Sequence, residues 1–298
     1  MNRVCAVIVT HNPDPRFIEN VELIATQVNQ IIIVDNGSHE AGRRLVQIVE
    51  RLEKVKVAYN PENLGIAAGL NIGFKNAIKG GFDWVLTLDQ DSRPGAKMVE
   101  SLFDVYDKCQ NQKQIGLLSA VAIEERIPTE ISKVPCVNSN GLYHDTEVVM
   151  SSGSLVKTSV FLEVGGFDES LFIYYVDHDY CFRILAAGYR IFQTPLATFY
   201  HNTGLISRHK FLHRHFFTNN YSEKKRYYIT RNRLVLYRKY LLARPKWVFD
   251  DMVRFAKEFI KILVAEDNKV EKIYSIGKGI THSLQNRLGS YGHSNELH

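Results

Sequence analysis

The segment Asp83–Ser92, Asp-Trp-Val-Leu-Thr-Leu-Asp-Gln-Asp-Ser, carries two carboxylates separated by one residue, Asp89 and Asp91. Trp84–Leu88 is a short, mostly apolar run with the composition and length of a buried strand. Ser92-Arg93-Pro94-Gly95 then breaks it. Alternation along a strand puts Asp89 and Asp91 on one face at its C-terminal end. Open α/β sheets take their ligands at that end. Two hard oxygen donors there suit Mg²⁺ or Mn²⁺, and such an ion can hold a diphosphate. An isolated Asp-x-Asp is more often a solvated acidic turn, so the surrounding residues have to decide.

Four further groups bear on that decision. Thr10-His11-Asn12 and Asp35-Asn36-Gly37-Ser38 each close an apolar run. In a parallel sheet both would share an edge with Asp89. Asp35 can accept from a pyrimidine N–H or a ribose hydroxyl, and Gly37 permits close backbone approach; ordinary turn chemistry explains the same residues. In Asn63–Gly73, Gly65, Gly69 and Gly73 recur every four residues and share a helix face that must approach something closely. Helix–sheet packing accounts for Gly69 and Gly73; Asn63 and Asn71 are less well explained by packing. Phe172–Arg183 holds Asp177 and Asp179 in an apolar setting. Arg183, four residues after Asp179, can pair with it, which leaves Asp177 as the freer carboxylate and a candidate general base. Both acids could equally serve the first turn of a helix. His201 follows a short strand and can complete a metal site begun by carboxylates, although a lone histidine is more often structural. His209, His213 and His215, among Arg208, Lys210 and Arg214, read as a basic loop able to cover phosphates.

The elements that must position these groups follow from hydrophobic periodicity. Val4–Thr10, Ile31–Val34, Val55–Tyr59 and the run ending at Asp89 alternate with helical patterns, the third over Gly65–Ile78. This β-α-β-α-β-α-β order predicts a parallel sheet with helices on both faces. Beyond Cys109 the pattern predicts a strand over Ile115–Ile123, an irregular stretch over 124–140, and a strand-like Val148–Val156 interrupted at Ser151–Ser154. A short helix over Thr158–Val164, a helix over Phe172–Gly188 and two short strands, Tyr189–Phe192 and Thr198–Tyr200, follow. From about Tyr228 the chain reads as largely helical. In Pro245–Val264, Val248, Met252, Phe255, Ala256, Phe259, Ile260 and Leu263 line one face, with Asp250, Asp251, Arg254, Lys257, Glu258 and Lys261 opposite.

At 298 residues the chain can hold one large domain or one with a smaller appendage. The net charge of +5 permits an anionic substrate or membrane surface and does not call for nucleic acid. Cys5, Cys109, Cys136 and Cys181 form no Cys-x-x-Cys pair and read as reduced thiols of a cytosolic protein. No signal peptide and no apolar run long enough to span a membrane is visible. There is also no Gly-x-Gly-x-x-Gly or Walker fingerprint that would point to NAD or ATP.

In order, Val-Ile-Val-Thr-His-Asn, Val-Asp-Asn-Gly-Ser, Asn-Leu-Gly-Ile-Ala-x-Gly-x-Asn-x-Gly, Leu-Asp-Gln-Asp-Ser, Gly-Gly-Phe-Asp-Glu and Val-Asp-His-Asp-x-x-x-Arg resemble the inverting family 2 glycosyltransferases. The Asp-Gln-Asp-Ser variant, Arg231-Asn232-Arg233 and Lys278-Gly279-Ile280 resemble the rhamnosyltransferase branch. The resemblance covers about Val4 to Gly204. It implies a GT-A fold: a Rossmann-like, mostly parallel sheet flanked by helices, with a helical C-terminal extension. The expected domains are a catalytic domain over 1–227 (nucleotide-sugar half about 1–110, acceptor half about 111–227) and a helical region over 228–298. Donor-binding residues are expected at Thr10, His11, Asn12, Asp35, Gly37, Asn63, Gly65, Asn71, Asp89 and Gln90. Asp89, Asp91 and His201 are the expected ligands of Mg²⁺ or Mn²⁺, and Asp177 the catalytic base, with Val176 standing where the family has a Glu. Gly166, Phe167 and Asp168 match a turn on the acceptor side, and Gly153, Asp179 and Arg231 join them as candidate acceptor or diphosphate contacts.

The implied reaction is an inverting transfer from a dTDP- or UDP-sugar, dTDP-L-rhamnose in the favoured case, to a glycan or lipid-linked acceptor. A cytoplasmic enzyme, peripheral at the inner face of the membrane, is the matching location. The C-terminal helices are expected either to rest on that surface or to pack on the catalytic domain or in a homodimer. A sugar nucleotidyltransferase would need a glycine-rich, basic phosphate loop after the first strand, which His11–Arg16 lacks. A non-catalytic nucleotide-sugar or glycan-binding protein has no need of Asp89, Asp91 and Asp177 together.

Overall fold

A computed structural model describes residues 2–124, 141–201, 207–211 and 214–292. The chain divides into two compact units, 1–172 with 176–202, and 173–175 with 203–298. The division falls near residue 202, not at the expected 227. The reason is that β10 (Ser207–Phe211) and β11 (Arg214–Thr218) pair antiparallel with each other and form a sheet of their own. The expected basic loop is therefore a hairpin.

In the first unit β1 (Val4–Thr10), β2 (Gln30–Asn36), β3 (Val55–Asn60) and β4 (Trp84–Asp89) form a parallel block in the order β3-β2-β1-β4. The connecting helices are α1 (Arg16–Ala25), α2 (Glu40–Val49) and α3 (Gly65–Lys79). Every residue of β1 is buried, as expected of a strand covered on both faces. Register aligns Thr10 with Asp35 and Val9 with Asp89, so the tips of three strands stand side by side. The glycine face of α3 lies on the sheet. A Cβ on Gly73 would stand 2.2 Å from Val7 Cγ1, and one on Gly69 2.6 Å from Val9 Cγ1. Packing alone demands both glycines.

Past β4 the sheet becomes mixed. β5 (Arg93–Pro94), α4 (Met98–Lys108), β6 (Ile115–Ile123), β7 (His144–Asp145) and β8 (Ser154–Lys157) follow. Then come α5 (Thr158–Val164), α6 (Val176–Ala186) and β9 (Arg190–Tyr200). β8 runs antiparallel between β4 and β6, and β6 pairs parallel with β9. The two strands expected over 189–200 are one strand with a register shift, Ala120 facing Thr194 and Val121 facing Thr198. The helix expected from Phe172 starts at Val176, because Phe172, Tyr174 and Tyr175 have φ of 66°, 64° and 62°. That left-handed backbone cannot continue a right-handed helix. The irregular stretch expected over 124–140 lies, beyond Glu124, outside the described residues, as does Cys136. Cys5, Cys109 and Cys181 are buried thiols.

The second unit holds α7 (Glu223–Tyr240), α8 (Pro245–Ala265) and α9 (Lys269–Leu284). Asn232 Nδ2 of α7 donates to the carbonyls of Ile173 (2.7 Å) and Tyr174 (2.9 Å), which ties 173–175 to this unit. The buried side of α8 differs from the expected face. Val248, Asp251 and Ile262 are buried, whereas Met252, Ile260 and Leu263 are exposed. Among the described residues no helix is long and apolar enough to cross a membrane.

Candidate active site

The metal-binding group is assembled from three places in the first unit. Asp89 ends β4, Asp91 lies in the turn after it, and His201 follows β9. One ligand atom from each lies within 4.8 Å of the others. β5 pairs antiparallel with the end of β9, Arg93 with Tyr200, and this brings His201 beside a carboxylate pair more than a hundred residues away. His201 Nδ1 is 3.4 Å from Asp91 Oδ1 and 3.3 Å from Ser92 Oγ. Ser92 Oγ meets Ser152 Oγ at 2.8 Å, and Ser152 Oγ accepts from the Asp89 N–H at 3.0 Å. These two buried serines hold the cluster and were not singled out in the sequence. Ser92, adjacent to Asp91, was the visible hint.

The electrostatics favour a cation. Burial pushes the Asp89 carboxyl up to about 6; His201 opposes this, while the charges of Asp91 and Asp177 add to it. His201 is in turn raised, first by its hydrogen bond to Asp91 and against desolvation, with the charges of Asp91 and Asp89 contributing further. Two carboxylates and an imidazole converging where like charges destabilise one another fit a divalent ion of the Mn²⁺ or Mg²⁺ type, with the imidazole favouring the softer of the two.

Asp177 stands in the first turn of α6, at the positive end of the helix. Its side chain is 27% exposed. Burial would raise its carboxyl, but the charge of His178, the hydrogen bond from the His178 ring and the backbone N–H groups outweigh that and hold it below the usual carboxylate range. Its charge is the last of those that raise the Asp89 carboxyl. His178, like the two serines, is a residue that the sequence reading passed over.

At the strand tips, Thr10 Oγ1 donates to Asp35 Oδ1 at 3.3 Å, and both residues are buried. Exposed His11 sits above them, its Nδ1 2.9 Å from the Asn36 carbonyl and its N–H donating to Gln90 Oε1 at 2.8 Å. Asn12, with φ of 51°, accepts from the His39 N–H at 2.7 Å. Thr10, His11, Asn12, Asp35 and Gln90 thus come together at the tips of β1, β2 and β4. Gly37 faces the chain itself, since a Cβ there would stand 2.6 Å from Glu62 Cα.

Several residues expected at the donor or acceptor have partners within the chain. Asn71 is buried and its amide is fully engaged: it accepts from Phe167 N (2.8 Å) and donates to Phe167 O (2.9 Å) and Glu169 Oε1 (2.8 Å). It pins the 166–169 turn instead of meeting a donor. Asn63 Oδ1 accepts from Gly65 N at 2.9 Å, and a Cβ on Gly65 would strike the Phe172 carbonyl at 2.6 Å. That pair starts α3 and lets it approach Phe172. Gly153 lies against the Phe199 ring, and Gly166 against Asn71 Oδ1. Phe167 is buried against Tyr180 at 4.2 Å. Asp168 Oδ1 accepts from Ser170 N and Oγ, capping the short turn that follows. Asp179 is fully buried and bound to Arg183 Nε at 2.8 Å, the pairing that the spacing predicted, which removes it as a substrate contact. Arg231 is buried in the second unit, donating to Asn232 Oδ1 and the Gly289 carbonyl, and serves that unit's packing.

Known proteins share the sequence pattern and the fold of this chain. Residues 5–114 match the model of Glycosyl transferase family 2. The chain is 28% identical over 218 residues to the dTDP-rhamnosyl transferase RfbF of Shigella flexneri, covering 68% of this chain and 70% of that protein. It is 25% identical over 232 residues to the N-acetylglucosaminyl-diphospho-decaprenol L-rhamnosyltransferase of Mycobacterium tuberculosis, covering 66% and 75%. Among solved structures, the mannosyltransferase PcManGT from Pyrobaculum calidifontis in complex with GDP-Man and Mn²⁺ superposes with a TM-score of 0.60 at 15% identity, covering 96% of this chain and 88% of that one. S. aureus TarS 1-349 gives 0.55 at 13%, covering 96% and 82%. At such identities the structural likeness is one of fold, here GT-A. The chain carries a Glycosyl transferase family 2 domain and is a glycosyltransferase with rhamnosyltransferase relatives.

Proposed function

We propose that this glycosyltransferase moves L-rhamnose from dTDP-L-rhamnose to a hydroxyl of a cell-surface polysaccharide or lipid-linked oligosaccharide intermediate, inverting the anomeric carbon in one in-line displacement. One observation carries the reading: Asp89, Asp91 and His201, drawn from three places in the chain, each offer a ligand atom within 4.8 Å of the others, the donor set that a cation holding a diphosphate needs. Asp177 takes the proton of the attacking hydroxyl. Asp89, Asp91 and His201 would hold Mg²⁺ or Mn²⁺, which when bound supplies Lewis-acid stabilisation of the leaving diphosphate. Asp35, buried beside Thr10, accepts from the pyrimidine N–H, and His11, Asn12 and Gln90 surround the base. The names of the rhamnosyltransferase relatives support the donor, and the decaprenol-linked substrate named for one of them supports a lipid-linked acceptor.

The second unit supports work at a membrane surface. Phe249, Met252, Ile260, Leu263 and Val264 project from α8 with 45–66% exposure, beside exposed Lys246, Arg254 and Lys257. An amphipathic helix of that kind lies in the interface of an anionic bilayer. Incubating the protein and Mn²⁺ with a panel of nucleotide sugars, and measuring nucleoside diphosphate release, tests the donor. Release from dTDP-L-rhamnose above the others is expected. Preferential release from a UDP-hexose would replace the sugar, and release from none of them with a lipid-linked acceptor also present would overturn the catalytic reading of Asp177.

A further inference from the structure

Asp177 is held by the residue that follows it. Its Oδ1 accepts from both the backbone N–H and the ring Nδ1–H of His178, each at 2.9 Å. A carboxylate can only accept, so the His178 proton on that bond sits on Nδ1. The ring itself is fixed: it stands edge-on to Phe182, one helical turn along α6, with centroids 6.4 Å apart and planes at 86°. Phe182 is fully buried and anchored in the core, while the His178 side chain is 23% exposed. A hydrophobic residue at 178 would serve α6 as well for packing and would leave Oδ1 with one donor fewer. The second donor has a geometric effect. Two hydrogen bonds to the same oxygen, one of them from a rigid ring, fix the rotation of the carboxylate about its Cβ–Cγ bond.

We propose that His178 is a positioning residue for the glycosyl transfer: by holding Asp177 Oδ1 it aims Oδ2 at the acceptor hydroxyl. This rests on the reading of Asp177 as the base. The proton leaves the acceptor oxygen for Asp177 Oδ2 as that oxygen bonds to the anomeric carbon, and the bond to the diphosphate breaks. His178 keeps its Nδ1 proton throughout. A side-chain amide at 178 can offer an N–H in place of the ring's, whereas a methyl cannot.

The test compares His178→Ala, His178→Asn and Asp177→Asn, with dTDP-L-rhamnose or the best donor from the panel and a saturable acceptor. The expected result for His178→Ala is a loss of about ten- to a hundred-fold in kcat, the scale of one hydrogen bond to a charged group, with donor KM within about two-fold. His178→Asn should recover most of that loss. Calorimetric binding of the nucleoside diphosphate with Mn²⁺ should be unchanged in both variants, which separates the effect from misfolding. Wild-type kcat in His178→Ala, while Asp177→Asn is inactive, would overturn the positioning role and leave Asp177 as the base. Loss in His178→Asn as deep as in Asp177→Asn would overturn it too, by making the imidazole itself the proton acceptor. Near-normal turnover in Asp177→Asn would instead remove the reading on which the inference stands.

Discussion

An acidic cluster stands in each unit, and the charge of the two is met in different ways. In the second unit Glu266 is met by Arg226 Nη2 at 2.6 Å and Lys272 Nζ at 3.0 Å, all three side chains buried. Asp251, 1% exposed, accepts through Oδ2 from Arg233 Nε (2.8 Å), Tyr237 OH (2.8 Å) and Tyr175 OH (3.0 Å). Each acid there has a fixed cation and several donors, the condition under which a buried charge is tolerated. In the first unit buried Asp179 is paired with Arg183 in the same manner, but Asp89 and Asp91 have only His201 beside them as an opposing charge among the groups that shift Asp89. The protein thus gives one set of acids fixed cations and leaves the Asp89–Asp91 pair short of positive charge. A saturated cluster holds helices together. An unsaturated one stores an affinity for a cation from outside, and that difference, more than the presence of acids, distinguishes a site from a scaffold.

Mutation and pH can break or sharpen this contrast. The largest effect is expected in the first unit: Asp177→Asn should reduce turnover by about 10²–10⁴-fold with a far smaller fall in stability from losing a carboxylate that the helix start and His178 favour, and a steady-state assay beside a thermal melt checks both halves. Asp91→Ala should abolish Mn²⁺-dependent donor binding by calorimetry while the apo protein melts as before; unchanged donor affinity with Mn²⁺ present would count against the metal site. On the saturated side the pattern should reverse. Asp251→Ala leaves buried Arg233 with Glu258 alone and removes the acceptor of two tyrosine hydroxyls, and should cost about 3 kcal/mol of stability, read as a lower denaturation midpoint. If it melts like the wild type, the two regions are not different in kind.

Proton competition should give a smaller effect. The folded protein raises the Asp89 carboxyl to about 6, above its unfolded value, so the folded state binds that proton more tightly. The resulting stabilisation of the metal-free protein is fully present below the unfolded value and is lost as pH rises through about 6. A cation needs the ionised form. The rise in melting temperature produced by Mn²⁺ should therefore be larger at about pH 7.5 than at about pH 5, and equal shifts at the two would detach Asp89 from the cation site. Smallest in stability is Ile260→Glu on the exposed face of α8, expected within about 0.5 kcal/mol of wild type. Flotation with anionic vesicles should nonetheless fall, and undiminished flotation would rule out this face as the membrane contact.

Much of this was legible before any coordinates. The buried runs of β1, β2 and β4 and the loops that stop them fixed three strand ends on one edge, because near-continuous apolar strands alternating with helices form a parallel sheet with few alternatives. The pairing of Asp179 with Arg183 followed from helical spacing. The partners of Asn71 and Gly65 were not legible because an Asn or Gly in sequence carries no record of them: one anchors Phe167, ninety-six residues away, and the other makes room for the Phe172 carbonyl. Asp251 was assigned to the polar face of α8, and no helical period could reveal that Arg233 and two tyrosines lie opposite it.

The sequence by itself determined the alternation of elements, the carboxylates at the end of β4 and the resemblance that names the family, since all of these are local patterns or their order along the chain. Only the tertiary structure decided which acids are satisfied. His201 reaches Asp89 and Asp91 through the pairing of β5 with β9, Ser152 reaches them through β8, and Asp177 is delivered late because three left-handed residues delay the start of α6. Whether a carboxylate is structural or functional depends on the charges within a few ångströms of it, and those come from distant stretches of chain that only folding brings together.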